Sequence, residues 1–346
     1  MAGDQTSILI IFTGGTIGMV MNAESKSLQP INFELISDEV PELQKFGYRL
    51  QTYSFDPPLD SSDIGPEVWI KISETIAANY NDFDGFVVLH GTDTMAYSAS
   101  ALSFMLGNLS KPVIFTGSQL PIGVLRTDGR ENFITSIEIA AAKENGRPIV
   151  PEVSIFFENH LYRGNRTTKI NTENFNAFQS SNYPALAKVG VNIHYNREVI
   201  LYPDEIKPLE LNIKFDNHIA IIKLFPGMNK EFLESILGIE GLKAVILETY
   251  GSGNAPSDEW FLRRIKKAID KGIIILDVTQ CKIGSVELGL YESSRKLAEM
   301  GVISGYDITT EAAITKMMML LGQNLKTSEI IKLLNLSIRG EITIDK

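Results

Sequence analysis

Short apolar runs rich in β-branched residues alternate with longer stretches of helical periodicity along most of the chain, the pattern of an α/β protein. Ile8–Phe12, Gly85–Leu89, Val113–Phe115, Val153–Phe157, Ile219–Lys223, Ala244–Leu247 and Ile273–Val278 read as strands. Their near-continuous apolar character fits parallel strands covered on both faces. Between them, Glu67–Ala78, Ala96–Leu106 and Asn132–Lys143 carry apolar residues at helical spacing, as in Trp69, Ile72, Ile76 and Tyr80. The pattern weakens from about Ser180 to Asn217, where Pro184, Pro203 and Pro208 fall among polar residues. A second strand–helix series starts at His218. The expected organisation is a larger domain over 1–195, a linker over 196–217 and a smaller domain over 218–346.

Length agrees with that division, since 346 residues correspond to roughly two domains at about 150 residues each. Lys plus Arg number 32 against 42 Asp plus Glu, a net charge of -10. That balance argues against a broad phosphate-binding surface, so no nucleic-acid partner is expected. A single cysteine, Cys281, excludes an intrachain disulfide and any zinc site needing two thiolates. The histidines, His90, His160, His194 and His218, form no H-E-x-x-H pattern, and no metal is expected. No apolar run approaches the roughly 20 residues of a membrane span, and the first residues lack a signal-peptide pattern. A soluble cytoplasmic protein is therefore expected.

Candidate chemistry gathers at strand ends. After Ile8–Phe12 comes T-G-G-T-I-G at Thr13–Gly18, which is neither a G-x-G-x-x-G dinucleotide fingerprint nor a P-loop. Gly14 and Gly15 would allow close backbone approach and leave the hydroxyls of Thr13 and Thr16 uncovered. A tight connection without chemistry is the other reading of that turn. H-G-T-D-T-M at His90–Met95 follows Gly85–Leu89 in the same way, and Thr92 or Asp93 there could equally be a helix N-cap. A third turn, T-G-S-Q at Thr116–Gln119, follows Val113–Phe115. In open parallel sheets ligands bind at the carboxyl ends of strands, so the three turns are candidates to line one crevice.

The turns at Thr13–Gly18 and His90–Met95 resemble the two signatures of bacterial-type L-asparaginases. The resemblance continues through P-L-D-S-S-D at Pro58–Asp63, T-G-S-Q, and L-Y-R-G-N-R-T-T-K at Leu161–Lys169. Y-G-S-G-N-A-P at Tyr250–Pro256 and T-Q-C at Thr279–Cys281 complete it. These motifs span nearly the whole chain in order and look most like the type I, cytoplasmic branch. The resemblance implies a larger, flavodoxin-like N-terminal parallel-sheet domain and a smaller C-terminal α/β domain. It implies hydrolysis of the side-chain amide of L-asparagine to L-aspartate and ammonia, no cofactor, and a homodimer or homotetramer with sites between paired subunits.

On the family pattern Thr16 is the nucleophile, while Thr92, Asp93 and Lys169 form a hydroxyl–carboxylate–amine set. An alcohol nucleophile must lose its proton to a base during attack. A neutral Lys169 could serve that end for Thr92 or a water; burial would favour its neutral form and Asp93 would oppose it. Backbone N–H groups of the glycine-rich turns are candidates to hold the developing oxyanion. Asp60, Ser61, Ser62, Thr92 and Asp93 are expected to bind the substrate, the serines at its α-carboxylate and Asp93 at its α-ammonium.

Two departures matter. The loop Met21–Pro30 lacks the tyrosine many members carry, and Leu28 aligns with it; Tyr291 is a candidate to support Thr16 instead. Thr279, Gln280 and Cys281 correspond to a second, allosteric asparagine site of type I enzymes. Glu248 stands where some members have an arginine that helps hold the effector, so weak or absent activation is expected. Two other readings fit parts of the pattern: the asparaginase-like subunit of the archaeal tRNA-dependent amidotransferase, which usually has an extra N-terminal domain, and a catalytically dead amino-acid sensor. The first is disfavoured by the early strand at Ile8, the second by Thr16, Thr92, Asp93 and Lys169 occurring together.

Overall fold

The computed structural model describes residues 5–21, 28–30 and 40–344. Two compact units divide the chain at Asn212 and Ile213. The first is built on an eight-stranded sheet: β1 (Ser7–Gly14), β2 (Arg49–Leu59), β3 (Gly85–Leu89), β4 (Val113–Thr116), β5 (Val153–Phe157), β6 (His160–Arg163), β7 (Ala187–Val189) and β8 (Ile193–Tyr195). Their order is β2-β1-β3-β4-β5-β6-β7-β8. The first five are parallel, and β6 to β8 add antiparallel strands at one edge. The parallel part has the flavodoxin-like 2-1-3-4-5 order, whose topological switch point lies between β1 and β3.

Helices α1 (Pro66–Ala78), α2 (Met95–Met105) and α3 (Gly129–Ala141) connect the parallel strands. Every residue of β1 and β3 is buried, which accounts for their unbroken apolar runs. Ile8, Ile10 and Phe12 join Val87, Leu89, Ile114, Phe133 and Ile137 in one core cluster. The strand β2 was not legible as such. It is the edge strand beyond β1, most of its residues are exposed, and it contains Pro57 and Pro58. An edge tolerates proline because no outer neighbour needs its missing N–H. In the weakly patterned stretch, β7 and β8 extend the far edge, and Glu210–Leu211 pairs with Leu106–Gly107.

The second unit holds a four-stranded parallel sheet in the order β9 (Ile219–Lys223), β10 (Ala244–Thr249), β11 (Ile274–Thr279) and β12 (Ile303–Ser304). Helices α4 (Lys230–Leu237), α5 (Glu259–Asp270), α6 (Glu292–Met300), α7 (Thr310–Gly322) and α8 (Thr327–Leu334) complete it. Leu233, Val245, Leu247, Phe261, Ile265, Ile275 and Leu297 form its core. The chain thus has the expected α/β class, with a large, mostly parallel sheet in the N-terminal part and a smaller α/β C-terminal part.

Candidate active site

The carboxyl ends of β1, β2 and β3 meet at the switch point, and glycines let them do so. Gly15 has φ 85°, and a Cβ placed on it would sit 2.5 Å from the N and Cα of Gly91. A Cβ on Gly91 would lie 2.6 Å from Cβ and Oγ of Ser61. No side chain fits at either position: the Thr16 and Thr92 turns touch backbone to backbone, and the Gly91 backbone packs on the Ser61 side chain. The third turn joins them, since a Cβ on Gly117 would fall 2.4 Å from the carbonyl oxygen of His90.

Thr16 opens a short 3-10 turn directly after β1 and is half-buried. Thr13, expected as a second uncovered hydroxyl, is fully buried. It lies within β1 and donates to the Leu89 carbonyl at 3.0 Å, tying β1 to β3. A hydroxyl on a strand flanked on both sides satisfies itself inside the sheet and is lost to the site. The loop 22–27, part of the segment without a tyrosine, lies outside the described residues. Leu28 is described only as backbone, pairing with Met21 in a two-stranded ribbon.

After β2, Asp60 caps a 3-10 turn at Ser61–Asp63. Its Oδ1 accepts from the N–H and the hydroxyl of Ser62, both at 2.8 Å, and these bonds hold its carboxyl below the usual carboxylate range. Ser61 is buried against Gly91, whereas Ser62 is exposed.

Lys169 reaches the same turns from β6. The buried Arg163 donates from Nε to Oε2 of Glu152 at 2.6 Å and from Nη2 to Oε1 at 3.2 Å. Thr167 then donates to the Arg163 carbonyl at 2.7 Å, and Thr168–Lys169 pairs with Phe178–Gln179. So anchored, Lys169 places Nζ 2.7 Å from Thr92 Oγ1 and 2.7 Å from Asp93 Oδ1. Its side chain is only 15 % exposed, while that of Asp93 is 67 % exposed. The amine is thus held by a hydroxyl and a carboxylate at the end of β3.

Beneath this turn lies a hydrogen-bonded row that sequence reasoning did not resolve. Trp69 Nε1 donates to Ser98 Oγ at 2.9 Å, Ser98 Oγ lies 2.8 Å from His90 Nε2, and His90 Nδ1 lies 2.7 Å from the Gly91 carbonyl. A carbonyl only accepts, so Nδ1 carries the proton. Nε2 is then bare in the neutral ring and accepts from Ser98. Complete burial lowers the His90 pKa to about 4, consistent with that neutral tautomer. His90 therefore braces the Gly91–Thr92 peptide from inside the core.

The helix after this turn starts at Met95 with Thr94 as its N-cap residue, not Thr92 or Asp93. Both are consequently free to face the site. Residues 7–201 match the family model "Asparaginase, N-terminal", and residues 218–334 match "Glutaminase/Asparaginase C-terminal domain". The chain belongs to the asparaginase family. It is 42 % identical over 355 residues to L-asparaginase 1 of Escherichia coli (strain K12), covering 99 % of each chain. It is also 37 % identical to the mouse (Mus musculus) 60 kDa lysophospholipase, covering 99 % of this chain and 63 % of that protein. The solved L-asparaginase I from Vibrio cholerae superposes with a TM-score of 0.88 at 40 % identity, covering 98 % of this chain and all of that one. An asparaginase amidohydrolase is what the motifs implied.

In the second unit, Thr279 ends β11 and Gln280 and Cys281 follow it, with polar groups partly committed within the protein. The Thr279 hydroxyl donates to the Gly251 carbonyl and accepts from Cys281 N at 3.0 Å. The amide Nε2 of Gln280 donates to the carbonyls of Leu224 and Glu248 at 2.7 and 2.8 Å. The Glu248 carboxylate accepts from Thr310 Oγ1 at 2.7 Å and pairs with Lys223 at 3.5 Å. Tyr291 is the exposed N-cap residue of α6.

Proposed function

We propose that the protein hydrolyses the side-chain amide of L-asparagine to L-aspartate and ammonia, with Thr16 Oγ as the nucleophile. The observation that carries this reading is the Thr92–Lys169–Asp93 set, bonded at 2.7 Å on both sides of the amine, next to the Thr16 turn. Attack by Thr16 on the amide carbon creates an oxyanion, for which backbone N–H groups of the two glycine-rich turns are the available donors. Lys169 in its neutral form takes the proton released on attack by way of Thr92 or a water, with Asp93 fixing its position, and returns it to the departing ammonia; a water then frees aspartate from Thr16. Ser61 and Ser62 take the α-carboxylate, with Asp60 holding their turn, and Asp93 takes the α-ammonium. Tyr291 is the candidate to support Thr16 in place of the tyrosine absent from the loop before Pro30.

A cytoplasmic homodimer or homotetramer accompanies this reading, resting on the resemblance to the type I branch. Among the described residues no helix is long and apolar enough to cross a membrane. Thr279, Gln280 and Cys281 would form the regulatory pocket, and Glu248 would repel an effector's carboxylate there. The deciding experiment is kcat/KM for asparagine and for glutamine, measured by ammonia release on the wild type and Thr16→Ala. The nucleophile reading expects asparagine turnover to fall by about 100-fold or more in Thr16→Ala. Unchanged turnover would remove Thr16 from the mechanism.

A further inference from the structure

Thr94 is the N-cap residue of α2, a position where threonine ordinarily accepts a hydrogen bond from the first helical turn. Here its side chain makes no capping bond. Its hydroxyl donates instead to the Ser61 carbonyl at 2.6 Å, across from the end of β3 to the end of β2. The contrast within the same chain is direct. Thr309, the N-cap residue of α7, accepts from Ala312 N at 3.1 Å in the ordinary way.

The Ser61 turn needs such a tie. Among the described residues β2 pairs only with β1, and its carboxyl end has no outer neighbour there. Within the turn, Asp60 supplies the cap, and the Ser61 carbonyl accepts weakly from Ile64 N at 3.3 Å. Gly91 gives Ser61 a surface to rest on, and Thr94 supplies the directional bond to the same segment. Thr94 immediately follows Asp93, so the bond sets the spacing between Ser61 and Asp93.

We infer that Thr94 is a positioning residue that latches the Ser61 turn to the Asp93 turn, fixing the distance between the groups that grip the α-carboxylate and the α-ammonium of an α-amino acid. The inference rests on the proposed assignment of Ser61 to the α-carboxylate and Asp93 to the α-ammonium. It makes Thr94 a determinant of affinity for α-amino acids, with little part in amide cleavage itself. The bond reaches the backbone of Ser61, so serine can replace threonine and valine cannot.

Thr94→Val keeps the shape and removes the donor, Thr94→Ala removes the donor without branching, and Thr94→Ser restores it. The expected result is a KM for asparagine raised about tenfold in the valine and alanine variants, with kcat within about twofold of wild type. The inhibition constant of the product aspartate, which keeps both α groups, rises in parallel. Thr94→Ser returns both constants to near wild type. An unchanged KM in Thr94→Val and Thr94→Ala overturns the latch, as does a fall in kcat alone accompanied by lower thermal stability. Ser61→Ala separates the two levels. If it raises KM while the Thr94 variants do not, only the latch fails; if it leaves KM unchanged, the carboxylate assignment fails and the latch with it.

Discussion

Gly91→Ala tests whether the close packing of the Gly91 backbone on the Ser61 side chain governs catalysis. Gly91 is not among the glycines with positive φ, so alanine meets no backbone obstacle there. The added Cβ would stand 2.6 Å from both Cβ and Oγ of Ser61. Ordinary carbon contacts need about 3.5–4.0 Å, so the two turns must separate by about 1 Å. Ser61 is buried and its carbonyl is tied to Thr94, so the strain is not absorbed by a mobile surface group. A misplacement of about 1 Å can cost about 100-fold in rate, and overpacking typically costs about 1–3 kcal/mol. For a unit of this size that corresponds to a fall in Tm of about 2–12 °C.

The assay is ammonia release from asparagine, giving kcat/KM, alongside a thermal melt of the same preparation. Gly91→Ala combined with Ser61→Gly removes the clashing atoms. The double variant should regain stability without regaining kcat/KM, because the Ser61 hydroxyl is gone. Such non-additivity is the signature of direct contact. Activity within threefold of wild type in Gly91→Ala, or a stability loss that Ser61→Gly fails to relieve, would refute the reasoning.

In the second unit, burial raises the Asp277 carboxyl to about 7, partly offset by a 2.7 Å hydrogen bond from Thr249. The folded state then holds a proton that the unfolded chain releases near its ordinary value of about 3.9, so stability is lost as pH rises from about 4 to about 7. That window corresponds to about 4 kcal/mol at most. Urea denaturation at pH 5 and pH 8 should show this loss in wild type and a flatter profile in Asp277→Asn; parallel profiles would sink the idea. The carboxylate of Glu248 leads to a further expectation, a hyperbolic dependence of rate on asparagine concentration. A sigmoidal curve abolished by substituting Cys281 would show that the second site is active after all.

Much of the fold could be read directly because the central strands are buried on both faces. β3, β5 and β9 have the bounds that their apolar runs suggested, and β1, β4, β10 and β11 differ by one or two residues at their ends. The strand β2 escaped because an edge imposes little pattern: its exposed positions can be polar and its prolines harmless. The antiparallel strands β6 to β8 are too short to show periodicity.

Local sequence determined the glycine-rich turns, the polar residues at strand ends and the family to which those motifs belong. It could not say which hydroxyls point into the site. Thr13 and Thr16 stand three residues apart, yet one is sealed between β1 and β3 and the other lies past the strand end. Lys169 lies in a polar stretch, and its place beside Thr92 and Asp93 depends on tertiary anchors, Arg163 on Glu152 and the pairing of Thr168–Lys169 with Phe178–Gln179. Thr94 has the identity of a helix cap, but tertiary packing puts the Ser61 carbonyl within its reach. Propensity and hydrophobic pattern act over a few neighbouring residues, so the sequence by itself determined elements and motifs. Hydrogen bonds between residues 33 or 77 positions apart depend on how the strands are ordered in the sheet, and that order only the tertiary structure decided.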